Sequence, residues 1–176
     1  TAIDAAKMLW PQRKHLIIGS TEHPAIIEPA RRWQSEGGTV THVPVDRGGR
    51  IDLESLKAAL KPGETAMVSV MWANNETGVV APIAEIAKLA HEAGALMHTD
   101  AVQAFGKLAT DVVASGVDYL SLSGHKFHAP KGVGALYVSH RVRFRPWLLG
   151  GGQEGGRRSG TENVAGIVGL GLAAEL

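Results

Sequence analysis

The sequence predicts an α/β protein, a three-layer sandwich built on a mostly parallel, doubly wound sheet. Short apolar runs rich in β-branched residues alternate along the chain with segments of helical periodicity. Glycines stand at the ends of many of these runs, where turns are needed. Strand–helix–strand alternation of this kind is typical of a parallel sheet with helices on both faces.

Six strands and four helices are predicted along the chain. Strands are predicted at residues 15–19, 39–44, 65–72, 95–98, 119–123 and 134–139, and helices at 24–36, 53–60, 82–93 and 161–176. Pro24 and Pro82 suit the first position of a helix, and Asp52 suits an N-cap. Pro29 lies inside the first of these helices, where proline disfavours helical backbone.

Composition limits the classes of function. A chain of 176 residues with 44% hydrophobic and 20% charged residues is long enough for one ordinary core. The net charge of +1 predicts no binding to nucleic acid or to an anionic membrane. Neither a membrane span nor a signal peptide is apparent, so we expect a cytoplasmic protein. The absence of cysteine excludes disulfides, thiolate catalysis and cysteine-ligated metal within this chain, and we expect no metal site.

Polar residues follow three of the predicted strands. Asn75 follows one strand, Asp100 follows the next, and residues 123–126 follow a third. Ligands of doubly wound sheets bind just beyond the carboxyl ends of the strands. The sequence therefore predicts that these separate groups meet at one edge of the sheet.

A lysine at this edge suggests a carbonyl cofactor. A lysine amine forms Schiff bases with carbonyl compounds, including pyridoxal phosphate (PLP). Lys126 is the best of the eight lysines, because a buried strand end would hold the amine in place and favour its uncharged form. Lys131 is the competitor, but it lies further into a loop of proline and glycine.

The remaining requirements of PLP have candidates nearby. Asp100 could pair with the pyridine nitrogen, whose protonation makes the ring an electron sink. Ser123 and His125 could donate to the phosphate. Gln103 or Asn75 could donate to the phenolic oxygen, and His23 could stack on the ring.

Other interpretations of the same residues exist. A strand-end aspartate is often a helix cap, a lone histidine is often structural, and the glycine-rich residues 150–160 could be a mobile loop. Ser123, His125 and Asp100 could be imagined as a hydrolase triad, but the G-x-S-x-G elbow is absent. Walker A, G-x-G-x-x-G and H-E-x-x-H patterns are also absent.

Five motifs together resemble a known family. They are EHPAI (22–26), MWANNETGVV (71–80), HTDAVQAFGK (98–107), SGHKFHAPKGVGALY (123–137) and GGGQEGGRRSGTENV (150–164). Their order and spacing resemble those of cysteine desulfurases, most closely the NifS-type branch of the class V aminotransferase superfamily. The resemblance covers almost the whole chain, and five ordered motifs are far more specific than any one of them.

The resemblance implies a role for each matching residue. Lys126 corresponds to the Schiff-base lysine, Asp100 to the partner of the pyridinium nitrogen, and His23 to the residue that stacks on the ring and moves protons. Gln103 would bond the phenolic oxygen, and Asn75 would lie near that oxygen and the substrate carboxylate. Ser123 and His125 would bind the phosphate. Thr161 would reach the phosphate of the neighbouring protomer in a homodimer.

The implied activity converts L-cysteine to L-alanine and leaves sulfur as an enzyme persulfide, which an iron–sulfur scaffold protein accepts. Residues 1–176 would be a single domain, the central part of the large PLP-binding domain. A phosphate cradle would precede Thr1, and a small domain with the sulfur-accepting cysteine and a substrate-binding arginine would follow Leu176. Gly155 stands where the family usually has arginine. The alternatives are a selenocysteine lyase or another class V transferase, and an inactive fragment that serves as a dimerisation or interaction module.

Overall fold

The sheet has six strands in the order β2-β1-β3-β4-β5-β6 in a computed structural model that describes residues 1–176. The strands are β1 (His15–Gly19), β2 (Thr39–Val43), β3 (Thr65–Ser69), β4 (Leu96–Asp100), β5 (Tyr119–Ser123) and β6 (Gly134–Val138). All pairings among β1 to β5 are parallel, and β6 pairs antiparallel with β5. The predicted mostly parallel sheet is confirmed.

Seven helices connect or follow these strands. They are α1 (Ala2–Leu9), α2 (Pro24–Ser35), α3 (Leu53–Ala59), α4 (Ile83–Glu92), α5 (Val112–Ser115), α6 (Gln153–Gly156) and α7 (Val164–Glu175). The Asp52 carboxylate caps α3 by accepting from the Ser55 amide at 3.0 Å. Pro29 lies inside α2 without ending it. None of the helices combines the length and apolar character needed to cross a membrane.

The core lies on both faces of the sheet, as a doubly wound fold requires. On one face, Ile3 of α1 and Trp33 of α2 pack with Leu16, Met67 and other strand residues. On the other face, α3 and α4 pack against the side chains that alternate with these along the strands. Leu96 faces α1 and α2, so the side chains two and four residues later, His98 and Asp100, point to that same face.

Two strand boundaries differ from the prediction in ways that matter for the site. β3 ends at Ser69 rather than at Trp72, although the Trp72 amide still donates to the Asp100 carbonyl at 2.9 Å. β4 continues to Asp100, two residues beyond the predicted end. The backbone of Asp100 is therefore part of strand β4 and not of the loop that follows it.

Candidate active site

The carboxyl ends of four neighbouring parallel strands form the edge where the predicted site residues gather. β1, β3, β4 and β5 are adjacent in the sheet and point the same way. The turn after β1 carries His23, the loop after β3 carries Asn75, Asp100 ends β4, and Lys126 follows β5. Residues separated by up to about a hundred positions in sequence thus arrive at one edge, as the strand pattern predicted.

Asp100 is a buried carboxylate without a cation partner. It is 5% exposed, and its Oδ1 accepts from the Val102 amide at 2.9 Å. No lysine, arginine or histidine forms an ion pair with it. Burial raises the pKa of this carboxyl, while the Val102 amide and the charge of His23 act in the opposite direction. A cationic ring nitrogen would supply the charge that this carboxylate lacks.

Lys126 ends a short 3₁₀ turn, Gly124–Lys126, directly after β5. Gly124 and Phe127 are buried in this turn, and consequently the Lys126 side chain faces outward and is exposed. The expectation of a buried lysine is therefore wrong for this chain. Gly124 is needed here because a Cβ atom at this position would lie 2.9 Å from Leu170 Cδ1 and 3.0 Å from Ala129 Cβ.

Ser123 and His125 form a pair beside Lys126. The Ser123 hydroxyl and His125 Nδ1 are 2.9 Å apart, and this contact is exposed. In the neutral ring one of the two groups keeps a free proton: the hydroxyl if Nδ1 donates to it, or Nε2 if Nδ1 accepts from it. With both ring nitrogens protonated, the hydroxyl and Nε2 can both donate to an anion. These two residues match the donor chemistry that a phosphate group requires.

Gln103 lies in the turn that follows Asp100. Its Oε1 accepts from the Lys107 amine at 2.7 Å. This contact uses the oxygen of the amide and leaves Nε2 as a donor. A donor is what the phenolic oxygen of PLP needs, and the role expected for Gln103 stays a prediction.

His23 is the N-cap of α2. Its Nδ1 accepts from the Ala25 amide at 3.1 Å, while the residue as a whole is exposed. In the neutral ring this contact assigns the proton to Nε2, the nitrogen that does not face the helix. The cap therefore fixes both the direction of the ring and the atom that carries its proton.

A hydrogen-bonded row of three polar residues, Ser69, His98 and Ser121, crosses the sheet next to the site, and the sequence did not predict it. His98 Nδ1 bonds the Ser69 hydroxyl and Nε2 bonds the Ser121 hydroxyl, both at 2.8 Å. The three residues belong to β3, β4 and β5, and burial lowers the pKa of His98 to about 3. The neutral His98 ring therefore links three neighbouring strands. His98 lies two residues before Asp100, and Ser121 lies two residues before Ser123, so these bonds help to fix the register of the strands that carry the site residues.

The loop after β3 depends on Asn74, the neighbour of the predicted site residue Asn75. Asn74 Oδ1 accepts from the amides of Glu76 and Thr77, both at 2.9 Å, and Nδ2 donates to the Thr21 carbonyl at 2.9 Å. Asn75 is exposed and donates only to the Glu76 carboxylate, at 2.6 Å. Asn74 therefore shapes the loop, and Asn75 is free to face a ligand.

Thr161 lies apart from these residues. It is exposed in the segment between α6 and α7. Its expected contact with a neighbouring protomer stays a prediction. Gly155, in the same region, has a φ of 62°, which favours glycine over an arginine.

The sequence profile of the family described as "Aminotransferase class-V" matches residues 1–176. The chain belongs to the class V aminotransferase family. A cysteine desulfurase of a Nostoc species is 54% identical over 175 residues, which are 99% of this chain and 44% of that protein. The cysteine desulfurase NifS of Azotobacter vinelandii is 55% identical over 175 residues, which are 99% of this chain and 43% of that protein. The chain thus spans less than half the length of these class V relatives.

Solved structures of the same family share the fold. A NifS-like protein superposes with a TM-score of 0.93 at 41% identity, over 99% of this chain and 48% of the other. SspA in complex with cysteine superposes with a TM-score of 0.89 at 37% identity, over 99% of this chain and 53% of the other. These likenesses confirm the resemblance to NifS-type proteins.

Proposed function

We propose that this chain is the central part of the PLP-binding large domain of a cysteine desulfurase. The observation that carries the proposal is the buried Asp100 carboxylate, which lacks a cation at the edge where His23 and Lys126 also arrive. The family match and the cysteine desulfurase relatives support it. Residues 1–176 form one domain in this proposal. The protein acts as a cytoplasmic homodimer, with Thr161 reaching the partner's site.

The residues present fit PLP. When bound, that cofactor supplies an electron sink that weakens bonds at the α-carbon of an amino acid. Asp100 would hold the positive ring nitrogen, because its carboxylate is buried and otherwise unpaired. Ser123 and His125, which contact each other, would bind the phosphate, and Gln103, whose Oε1 is occupied by Lys107, would donate to the phenolic oxygen through Nε2.

Lys126 and His23 perform the proton transfers. The Lys126 amine lies at the end of a short turn whose backbone is held by buried Gly124 and Phe127, so its position is defined although the side chain is exposed. This amine would hold the cofactor through its aldehyde, and it is the group that could accept and return a proton there. His23 would lie over the ring, where Nε2, the nitrogen not used by the helix cap, would be the atom that exchanges protons.

The substrate is L-cysteine and the products are L-alanine and a sulfur atom carried as a persulfide. The carbon–sulfur bond of the substrate breaks, and the sulfur passes to a cysteine thiol. This chain contains no cysteine, so that thiol comes from outside these 176 residues. An iron–sulfur scaffold protein is the expected acceptor of the sulfur.

Titration with PLP tests the cofactor assignment. After unbound PLP has been removed, wild type should keep a visible absorption band and Lys126→Ala should not, whereas Lys131→Ala serves as the matched control that keeps the band. A band of equal size in Lys126→Ala would overturn the role of Lys126.

Turnover by the full-length protein tests the reaction. Equimolar alanine and sulfide should form from L-cysteine in the presence of a thiol reductant. A clear preference for L-selenocysteine would favour a selenocysteine lyase instead. Binding of PLP without turnover of either amino acid would favour an inactive interaction module.

A further inference from the structure

Glu22 is a buried acid in the turn between β1 and α2, next to His23. Its neighbours Thr21 and His23 are exposed, whereas Glu22 is 6% exposed. Glu22 Oε1 accepts from the Met71 amide, just beyond the end of β3, at 2.8 Å. Its Oε2 is buried and has no hydrogen-bond partner. The side chain thus turns into the sheet while the His23 ring turns out.

The turn is attached to the loop after β3 at two points. One is the Glu22–Met71 contact, and the other is the bond from Asn74 Nδ2 to the Thr21 carbonyl at 2.9 Å. The two contacts are made by Thr21 and Glu22, the two residues that immediately precede His23. The position of the His23 ring therefore depends on the loop after β3 as well as on its own helix.

Gly19 leaves the space that the Glu22 carboxyl occupies. A Cβ atom at Gly19 would lie 2.7 Å from Glu22 Oε1. The backbone of Gly19 does not have a positive φ, so alanine is compatible with its conformation. Gly19→Ala would thus displace the Glu22 carboxyl while leaving that carboxyl in the chain.

The surroundings of Glu22 favour a neutral carboxyl. No cation pairs with it. A cavity of about 20 Å³ beside it is lined otherwise by uncharged residues. The nearby charged group that acts on it is Asp100, which is itself an acid. A second anion here would repel Asp100, whereas a neutral acid leaves Asp100 as the single negative charge.

We propose that Glu22 is a positioning residue for His23 and that it acts as a neutral carboxylic acid. The inference rests on the proposed function, because His23 is taken to face the cofactor. Burial raises the pKa of Glu22 to about 8, which agrees with the neutral form at physiological pH. Glutamine has the same shape and cannot ionise, so Glu22→Gln should retain the function, and alanine should not.

The first experiment uses the protein without cofactor. The ring signals of His23 are assigned by their loss in His23→Ala and followed by ¹H–¹³C NMR at pH 7. Glu22→Ala and Gly19→Ala should shift or broaden them, while Glu22→Gln and the exposed control Glu85→Ala should leave them unchanged. Unchanged signals in both disruptive variants would overturn the inference, whether or not PLP binds.

The second experiment uses the full-length protein with PLP. Glu22→Ala and Gly19→Ala should change the visible circular dichroism of the cofactor in the same direction as His23→Ala. They should also lower kcat for L-cysteine about ten- to hundredfold, as misplacement of a reacting group does. Wild-type dichroism and kcat with only a lower melting temperature would show a merely structural role. Loss of function in Glu22→Gln would show that the carboxylate form is needed. A wild type that binds no PLP would refute the proposed function and leave the NMR result to decide the role of Glu22.

Discussion

The Phe105 ring packs edge-on against the Phe127 ring, with 4.8 Å between the centroids and 63° between the planes. Phe105 lies in the turn that follows Asp100 and Gln103, and Phe127 is the residue after Lys126. Gly106 allows this approach, because a Cβ atom there would lie 3.0 Å from Phe127 Cβ. The pair therefore joins the segment with Asp100 and Gln103, which we propose to bind the ring of the cofactor, to the segment with Lys126.

Truncation of the Phe105 side chain should destabilise both segments. Phe105→Leu keeps most of the apolar surface and should lower the free energy of unfolding by about 1 kcal/mol, the value of an aromatic pair beyond its buried area. Phe105→Ala should cost about 2–3 kcal/mol, since Phe105 is only partly buried. Urea unfolding measures both, with the exposed Val113→Ala as control. An unchanged dissociation constant for PLP in Phe105→Ala would contradict the link between the segments.

The raised pKa of Glu22 predicts a pH dependence of stability. The pKa of Glu22 is about 8 in the folded protein, against the ordinary glutamate value of 4.5 in the unfolded chain. Between these values the folded state keeps a proton that the unfolded state releases, so this contribution to stability falls as pH rises towards 8. Glutamine does not ionise, so Glu22→Gln avoids this loss of stability. Its free energy of unfolding should rise by about 2–4 kcal/mol relative to that of wild type as the pH goes from 4.5 to 8. Chemical unfolding at several pH values measures the difference, and a difference that does not change with pH would contradict a buried neutral acid.

His98 should show the opposite dependence. The pKa of His98 is about 3 in the folded state, against the ordinary histidine value of 6.5. As the pH falls, the unfolded chain therefore binds a proton before the folded protein does. The contribution of neutral His98 is complete above pH 6.5 and is lost towards pH 3. His98→Leu removes the bonds to Ser69 and Ser121 and should cost about 2–4 kcal/mol above pH 6.5. That cost should shrink as the pH is lowered, and a cost independent of pH would argue against a buried neutral ring.

Asp100→Asn should separate stability from function. The asparagine removes a buried charge that has no partner within this chain, so the melting temperature without cofactor should rise at neutral pH. The same change removes a charged hydrogen bond to the ring nitrogen, worth about 1.5–3 kcal/mol, and should weaken PLP binding about ten- to hundredfold. Differential scanning fluorimetry and PLP titration test the two effects. Tighter binding of PLP to the variant would contradict the role of Asp100.

The pattern of the sequence was enough to predict the sheet and the edge where the site lies. Apolar runs such as residues 119–123 coincide with an observed strand, and the polar residues that follow the strands mark one edge. The boundaries were less accurate where one face of a strand is polar. β4 ends at Asp100, a residue type that is rare in strands, and only the pairing of Asp100 with Ser121 of β5 shows that the strand continues so far.

Contacts across the sheet could not be predicted from the sequence. Hydrogen bonds join Glu22, His98 and Asn74 to partners that are 23 to 53 positions away in sequence. The local periodicity of the sequence does not predict such contacts. The exposure of Lys126 was also missed, because the following Phe127 takes the inward position in the turn. Each of these residues lies within a motif of the family resemblance, which indicated that the positions matter but not what they contact.

Identification of the lysine that binds the cofactor tests the central claim most directly. The full-length protein is incubated with PLP, the lysine–cofactor bond is fixed by reduction with borohydride, and the peptides are mapped by mass spectrometry. The cofactor mass should appear on Lys126 at close to one equivalent per chain, with little on Lys131. A label on Lys131, or one scattered over the surface lysines, would contradict the site described above.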